Sequence, residues 1–360
     1  MKGTIHLVYP HGHRISCPDA IGRHVAEALR AQGYRVATYD WDDLRLIRPV
    51  AEDVLIGHPH PWPWTVFRRS AQQDGWRRVL LLSPFNHDLR QVAFLEPVIR
   101  SCDLFLAISG NYWFSTIARS KVAHWEPKIV HLDLAVDVAD FPPVKRRFNP
   151  SGRRRFLYVG HSGWPKNVKY LSEIASRMPD AEFAWIGTGP PIRGLRPLGF
   201  QDFRTEGAQK LVGGYDFLIT VGIADANPAT ILEAMAWGLI PICTPESGYS
   251  GYEGIINIPL NDADAVVGIL RRYLSLPDAD LCRLQAANWD VIGAHFNWDR
   301  FVQQVIDAIE SSATPHVAAL APNRRWQMAF AEVTSPRSWL SPSSLRQALR
   351  VIATKRGSDA

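Results

Sequence analysis

The chain alternates short, almost wholly apolar segments with segments whose apolar residues recur every three to four positions. In the first part, helices are predicted at 19–32 and 88–102. Strands are predicted for the apolar runs TIHLVYP (4–10), YRVATYDW (34–41), DVLIGHP (53–59), RRVLLLSP (77–84), DLFLAIS (103–109) and KIVHLDL (128–134). Strands that are apolar on both faces and alternate with helices are typical of parallel sheets covered by helices. The first part therefore predicts an α/β domain.

A second series with the same alternation begins near residue 156. Its helices are predicted at 167–178, 228–237, 263–275 and 300–311, and its strands at 156–160, 181–187, 196–200, 216–222, 239–244 and 255–260. The stretch between the two series, FPPVKRRFNPSGRRRF (141–156), is rich in Pro, Arg and Lys and lacks apolar periodicity, as linkers do. We predict a first domain at 1–145, a basic linker at 146–155, a second domain at 156–312 and an extension at 313–360. Two doubly wound sheets would place a ligand in the cleft between them.

Composition narrows the class of protein. A chain of 360 residues is too long for one ordinary core, and its 46% apolar and 21% charged residues are normal for a soluble globular protein. The net charge of +5 and the pI near 9.1 suggest an anionic partner, namely nucleotide phosphates, anionic lipid or nucleic acid, or a mildly basic surface without function. Nucleic acid ranks low because aromatic residues do not interleave with the basic ones.

The four cysteines are widely spread and form no CxxC pair. This spacing disfavours a zinc site or a disulfide framework and fits a reducing cytoplasm. The first 20 residues lack the apolar core of a signal peptide, and no apolar run is long enough to span a membrane. A cytoplasmic protein is expected, with contact to the inner face of the membrane left open.

The extension contains a segment that could contact the membrane surface. In SPSSLRQALRVIATKR (341–356), Ser344 can cap a helix whose Leu345, Leu349 and Ile352 share one face, while the basic residues lie mostly elsewhere. Such a helix is typical of a segment that lies on anionic lipid. The alternatives are a terminal helix that packs back on the first domain and a frayed end.

Two glycine-containing loops follow strands of the second domain. VGHSGWPKN (159–167) combines Gly160 and Lys166 with the start of a helix, an arrangement that offers backbone N–H groups and a cation to an anion. WIGTGPP (185–191) has Gly187 and Gly189, which would let a flat ring approach the backbone.

The stretch DANPATILEAMAWG (225–238) is more specific. Asn227 is a predicted N-cap, Pro228 suits the first helical position, and Gly238 ends the helix. The helix start favours a diphosphate, and Glu233 lies roughly 7–8 Å further along at about 1.5 Å per residue. Asp225 lies beyond the other end, so the two acids can bind hydroxyl groups on either side of a diphosphate. The alternative is that Asp225 is a turn residue and Glu233 a solvent-facing or ion-paired helix residue.

This stretch resembles the E-x7-E motif of retaining glycosyltransferases of family 4, which have the GT-B fold of two Rossmann-like domains that face a cleft. Segments in the family's order also match: CDLFLAIS (102–109), LAVDVADFPP (134–143), VGHSGWPKN and WIGTGP. The resemblance covers roughly residues 80–310 and is closer in the second domain.

The resemblance implies a hexosyltransferase-type enzyme that transfers a sugar from a UDP- or GDP-linked donor to a glycan or glycolipid with retention, without metal or cofactor. It implies that Lys166 neutralises the leaving diphosphate, Asp225 contacts the transferred sugar and Glu233 holds the donor ribose. The other implied donor contacts are Gly160, His161, Gly187, Gly189, Phe200, Asn227, Ala229 and Thr230.

The sequence departs from the family's pattern at three positions. Asp225 stands in place of the usual glutamate, His161 in place of a phosphate-binding arginine, and Asn167 in place of a glycine. Loss of a permanent cation would weaken phosphate binding unless His161 is charged beside a dianion.

The first domain contributes histidines. His87, in SPFNHDL (83–89), resembles the family's histidine near the reacting sugar carbon; the alternative is a histidine at a sheet end or helix cap. Gly12 and His13 lie in the first strand–helix loop and could approach the donor phosphates or the acceptor. His58 and His60 lie among tryptophans, as an acceptor-binding wall or as core, and no third metal ligand accompanies them.

Two further functions stay open at this point. One is a nucleotide-sugar epimerase of the same fold, and the other is a relative that binds glycan or nucleotide with little catalysis.

Overall fold

The structure is a computed structural model that describes residues 3–10, 16–317 and 320–335. Gly12, His13 and the amphipathic segment 341–356 lie outside these residues. Contacts divide the chain into two compact units. The first contains Met1–Ile108, Thr116–His131 and Val302–Ala360, and the second contains Ser109–Ser115 and Leu132–Phe301.

The first sheet has six strands in the described residues. They are β1 (Thr4–Val8), β2 (Arg35–Tyr39), β3 (Val54–Gly57), β4 (Arg78–Pro84), β5 (Leu104–Ile108) and β6 (Ile129–Leu132). Their order is β2-β1-β3-β4-β5-β6, and β1 to β5 pair in parallel. From β1 the chain adds β2 on one side and then β3 to β6 on the other side. The boundary between β1 and β3 is therefore the topological switch point of this doubly wound sheet.

The second sheet also has six strands in the described residues. They are β7 (Arg155–Val159), β8 (Glu182–Ile186), β9 (Arg196–Pro197), β10 (Phe217–Thr220), β11 (Ile240–Cys243) and β12 (Ile256–Asn257). The order β12-β11-β10-β7-β8-β9 is that of the dinucleotide-binding Rossmann fold, and all five neighbouring pairs are parallel. The switch point lies between β7 and β10.

Helices connect these strands. They are α1 (Ser16–Ala31), α2 (Val66–Ser70), α3 (Leu89–Val92), α4 (Glu96–Ser101), α5 (Asn111–Ser115), α6 (Val168–Ser176), α7 (Glu206–Gly213), α8 (Ala229–Trp237), α9 (Ala263–Ser275), α10 (Asp278–His295), α11 (Trp298–Glu310) and α12 (Pro322–Thr334). The predicted α/β fold of two doubly wound sheets is confirmed.

The strands are apolar because each sheet is covered on both faces. In the second sheet, the rings of Phe156 and Phe183 stack with centroids 4.7 Å apart, and those of Phe156 and Phe217 with centroids 5.2 Å apart. All three side chains are buried. Their burial removes apolar surface from water, which is the main favourable contribution to folding here.

The helix predicted at 88–102 is not continuous. It divides into α3, a 3₁₀ turn at Ala93–Leu95, and α4. Pro97 lies at the start of α4, where its missing N–H costs nothing, but inside one long helix it would remove a hydrogen bond and clash with the preceding turn.

The segment predicted as a basic linker packs within the second unit. Arg154 of this segment is buried and contacts Asp278 at 2.7 Å and the Tyr273 carbonyl at 2.9 Å, and Lys145, directly before the segment, forms a buried ion pair with Asp216 at 2.8 Å. These basic residues therefore serve the interior rather than an anionic partner. The compact units do not change at 146–155, and the domain boundaries drawn from composition stay a prediction.

The described part of the extension belongs to the first unit. Met328 of α12 is buried in the core that contains Phe94 and Val92, and the Ser335 hydroxyl donates to the Arg90 carbonyl. None of the helices in the described ranges is both long and apolar enough to cross a membrane.

Candidate functional site

The switch point of the second sheet brings two loops together. The Lys166 loop (160–167) leaves the carboxyl end of β7, and the Asp225 loop (221–228) leaves the carboxyl end of β10. The Ile223 N–H donates to the Pro165 carbonyl at 3.0 Å, which joins them. Doubly wound sheets bind ligands at this position because loops diverge there and leave a crevice.

Lys166 and Asp225 form a close ion pair although 59 residues separate them. Both side chains are mostly buried. The Asp225 backbone is held on both sides: its N–H donates to the Glu246 carbonyl at 3.0 Å, and its carbonyl accepts from the indole N–H of Trp113 at 2.7 Å. The predicted phosphate cation and sugar-binding acid are therefore neighbours.

The helix start differs by one residue from the prediction. Pro228, not Asn227, is the cap residue, and α8 begins at Ala229. Within the described part of the chain, no acceptor receives the N–H groups of Ala229 and Thr230. Unpaired N–H groups and the helix dipole together favour an anion at this point.

Asn227 is buried rather than placed as a helix cap. The side-chain amide takes the orientation in which both its oxygen and its nitrogen have hydrogen-bond partners. The oxygen accepts from the N–H groups of Gly110 at 3.3 Å and Leu134 at 3.1 Å, and the nitrogen donates to the Tyr249 hydroxyl. The buried Asn227 side chain thus holds the Asp225 loop in place through these hydrogen bonds. Asn227 as a donor contact stays a prediction.

Glu233 is the only charged residue in a helix whose residues from Ile231 to Trp237 are all buried. Only 9% of its surface is exposed, and the described residues provide it with no hydrogen-bond partner. Burial raises the pKa of the Glu233 carboxyl to about 7, and the nearby Lys166 charge only partly opposes this rise. A carboxyl group that is partly protonated at neutral pH can both donate to and accept from a diol.

The two glycine loops contact each other. The Gly160 carbonyl accepts from the indole N–H of Trp185 at 2.7 Å, and Gly160 and Gly189 both have positive φ. A Cβ atom on Gly187 would lie 2.0 Å from the Gly160 oxygen, and one on Gly189 would lie 2.3 Å from the Ser162 hydroxyl. Glycine is thus needed at both positions for the loops to approach.

His161 is exposed, and its Nδ1 accepts a hydrogen bond from the Gly163 N–H at 2.9 Å. In the neutral ring this hydrogen bond places the proton on Nε2. The His161 carbonyl accepts from the Tyr158 hydroxyl at 2.7 Å, and burial together with the charge of Asp225 raises the pKa of Tyr158.

Phe200 is exposed directly after Gly199, whose carbonyl accepts from the Gly187 N–H at 3.2 Å. An exposed aromatic ring therefore adjoins the Gly187–Gly189 turn. This arrangement suits the stacking of a flat heterocycle.

Two residues of this site were missed by sequence reasoning. Glu246 follows β11, its Oε1 accepts from the Tyr112 hydroxyl at 3.3 Å, and its Oε2 is buried without a partner among the described residues. Trp113 supports Asp225, as described above. The position of Glu246 after the carboxyl end of a strand is a signal that could have indicated it, whereas no local pattern indicates Trp113.

His87, His58 and His60 lie in the first unit. His87 is half-buried after β4, and its ring meets Phe85 with centroids 5.4 Å apart. His58 and His60 follow β3, at the switch point of the first sheet, and both rings pack edge-on against Trp41 with centroids 5.1 and 4.6 Å away. In the described residues, no three His, Cys, Asp or Glu side chains are grouped to hold a metal ion.

Replacing Gly187 with alanine is expected to displace the Gly160 carbonyl, lower the free energy of unfolding by about 1–3 kcal/mol and weaken nucleotide binding. Chemical denaturation and nucleotide titration measure the two effects. Gly207→Ala is the control, because a Cβ atom there meets nothing within 4 Å. An unchanged denaturation midpoint for Gly187→Ala would show that the two loops are not tightly apposed.

No protein-family model matches the chain, and no curated protein matches it. Solved structures do. Sucrose-phosphate synthase from Thermosynechococcus elongatus aligns with a TM-score of 0.64 at 15% identity over 85% of this chain and 98% of that one. A glycosyltransferase from Rickettsia africae ESF-5 aligns with a TM-score of 0.61 at 14% identity over 86% and 98%.

A third structure is an α-glucosyltransferase in complex with UDP-glucose and DNA containing an abasic site. It aligns with a TM-score of 0.57 at 12% identity over 86% of this chain and 100% of that one. At such identities the likeness concerns the fold alone. The chain thus has the GT-B-type fold found in these glycosyltransferases.

Proposed function

We propose that the protein is a glycosyltransferase of the retaining type, which moves a hexose from a nucleotide-diphosphate sugar to a glycan or lipid-linked glycan. One observation carries the proposal: a cation, an open helix start and a buried carboxyl group converge at the switch point of the second sheet. Lys166, α8 and Glu233 supply these three features. The GT-B-type fold supports the same conclusion.

The donor is proposed to lie along the start of α8. The diphosphate accepts from the N–H groups of Ala229 and Thr230 and is neutralised by Lys166. The ribose binds Glu233, whose mixed protonation suits a diol. The base lies against the glycine turn and Phe200. His161 donates a hydrogen bond to the diphosphate from Nε2. This hydrogen bond replaces the one that an arginine would donate. The ring supplies a full positive charge only when it is protonated.

In the proposed reaction, the bond between the anomeric carbon and the diphosphate oxygen breaks. A bond from the acceptor hydroxyl oxygen forms on the same face, and the hydroxyl proton passes to the leaving phosphate oxygen. Negative charge develops on the diphosphate, where Lys166 and the helix start stabilise it most strongly in the transition state. No step requires a metal ion.

Asp225 contacts hydroxyl groups of the transferred sugar in this proposal. Because Lys166 already pairs with Asp225, the ammonium group would bridge the carboxylate and the incoming phosphate. His87 is the proposed first-unit contact of the reacting sugar. Its position at the carboxyl end of β4 supports this role.

UDP is the proposed donor nucleotide, with GDP as the other candidate. The support is the UDP-glucose held by an α-glucosyltransferase of similar fold. A cytoplasmic site of action at the inner face of the membrane is proposed with a lipid-linked acceptor, and the basic residues of the extension support it.

Thermal unfolding with UDP-, GDP-, ADP- and TDP-sugars tests the donor. A ligand that binds only the folded state raises the unfolding midpoint, so UDP-sugars should raise it most. Release of UDP that depends on an added acceptor would then establish transfer, and NMR of the product would report its anomeric configuration. Conversion of the sugar without an acceptor would identify an epimerase instead, and the absence of a shift with every donor would contradict the proposal.

A further inference from the structure

Helix α12 presents an apolar face to solvent. Trp326 is 77% exposed, Phe330 71% and Val333 52%. These residues are spaced by four and three positions, so at 100° per residue they lie on one side of the helix. A lone exposed apolar residue is ordinary, but three large ones along one helix face form a patch that points to an interaction.

The opposite face of α12 is anchored to the first unit. Met328 is buried, Glu332 lies 3.9 Å from the buried guanidinium of Arg68, and Ser335 bonds to the Arg90 carbonyl. The exposed face is therefore held outward by packing and does not result from a loose helix. We call Trp326, Phe330 and Val333 the α12 apolar face.

Charge distinguishes this end of the chain. Residues 313–360 contain seven Lys and Arg against two Asp and Glu, a net charge of +5 that equals the net charge of the whole protein. Residues 1–312 are therefore balanced. Arg324 and Arg325 are exposed at the start of α12, and the 26 residues that directly follow the helix contain the other five basic side chains. The apolar face thus lies within a segment that carries excess positive charge.

We propose that the α12 apolar face docks on the surface of an anionic lipid bilayer. Trp326 and Phe330 enter the boundary between headgroups and acyl chains, where aromatic side chains are favoured, and the arginines contact the headgroup phosphates. Basic residues near such a surface add electrostatic attraction to the anionic headgroups. The proposal concerns a lipid surface and is independent of the transferase activity.

A second copy of the chain fits this face less well. Two copies that met through α12 would bring together two segments of charge +5, and like charges at an interface oppose association. Three side chains on one helix also bury far less area than a stable dimer interface requires.

Sedimentation of the full chain with phosphatidylcholine vesicles, with and without phosphatidylglycerol, tests the proposal. The wild type should bind the anionic vesicles, more weakly at high salt, and the double variant Trp326→Ser/Phe330→Ser should bind at least about tenfold more weakly. Val50→Ser is the control, because Val50 is an apolar residue of the same unit that is 71% exposed and does not belong to α12. Thermal unfolding would verify that the double variant is folded.

Three results would overturn the proposal. They are unchanged binding of the double variant, equal binding to neutral and anionic vesicles, and a concentration-dependent dimer that the double variant abolishes. Nucleotide-sugar binding by the double variant should equal that of the wild type, so failure here leaves the proposed function untouched.

Discussion

Replacing Lys166 with alanine is expected to lower the turnover number about 10²- to 10³-fold. Lys166 is the cation next to the open start of α8, and it is mostly buried, so its attraction to a developing diphosphate charge is weakly screened. Loss of one preorganised stabilising group in an active site commonly costs this much. The fold decrease in turnover number should be larger than any fold change in KM, because the charge on the leaving group grows in the transition state.

Lys169→Ala provides the matched control. Lys169 is exposed on α6, three positions after Lys166, and carries the same charge. Steady-state release of UDP in the presence of an acceptor should be near wild type for this variant. Equal turnover by Lys166→Ala and wild type would remove Lys166 from the chemistry and leave its pairing with Asp225 as a structural role only.

Replacing Glu233 with glutamine is expected to stabilise the folded protein at pH 8 and to have little effect at pH 4.5. The ordinary pKa of 4.5 rises to about 7 because the carboxyl group is buried. Between these values the folded state holds the proton more tightly than the unfolded state, so stability falls as the pH rises. The loss in free energy of unfolding is complete once the pH exceeds the pKa of Glu233 in the folded state, and it amounts to about 3 kcal/mol at most. Glutamine has no charge to bury.

Urea denaturation of both proteins at pH 4.5 and pH 8 measures this effect. The difference in free energy of unfolding between Glu233→Gln and the wild type should increase in favour of the variant as the pH rises. For Glu173→Gln, a substitution at an exposed position of α6, this difference should not change with pH. If the two curves stay parallel, Glu233 ionises at its ordinary pKa. A buried acid that costs stability is expected at a functional site rather than in a core.

Much of α8 could be predicted from the sequence. The end at Gly238 is confirmed, since its φ of 89° is open to glycine and costly for other residues. The start was wrong by one residue because Asn227 is a good cap by type, but its side chain is taken by Tyr249 and two backbone N–H groups. Tertiary contacts decided between two adjacent capping positions.

Helix α10 escaped prediction for a physical reason. Its buried positions are Leu281, Gln285, Asn288 and Ile292, so two polar residues interrupt the apolar stripe. Gln285 donates to the carbonyls of Lys145 at 3.0 Å and Gly238 at 2.6 Å, which satisfies the end of α8. A buried polar residue that serves a distant helix leaves no periodic signal.

The candidate site was predictable only in part. The glycine loops, Lys166 and Asp225 were identified because each follows a strand or precedes a helix. Glu233 was identified because it is the charged residue of an otherwise apolar helix. The direct pairing of Lys166 with Asp225 was not, since contacts between residues so distant in sequence depend on the strand order. The order β7 next to β10 places them together.

Calorimetric titration of UDP into wild type and Glu233→Ala tests the central claim most directly. The wild type should bind UDP, and Glu233→Ala should bind it at least about tenfold more weakly, because the hydrogen bonds to the ribose are lost. Glu173→Ala, which removes an exposed carboxyl group from α6, should bind as the wild type does. Equal UDP affinity in wild type and Glu233→Ala would contradict the placement of the nucleotide along α8.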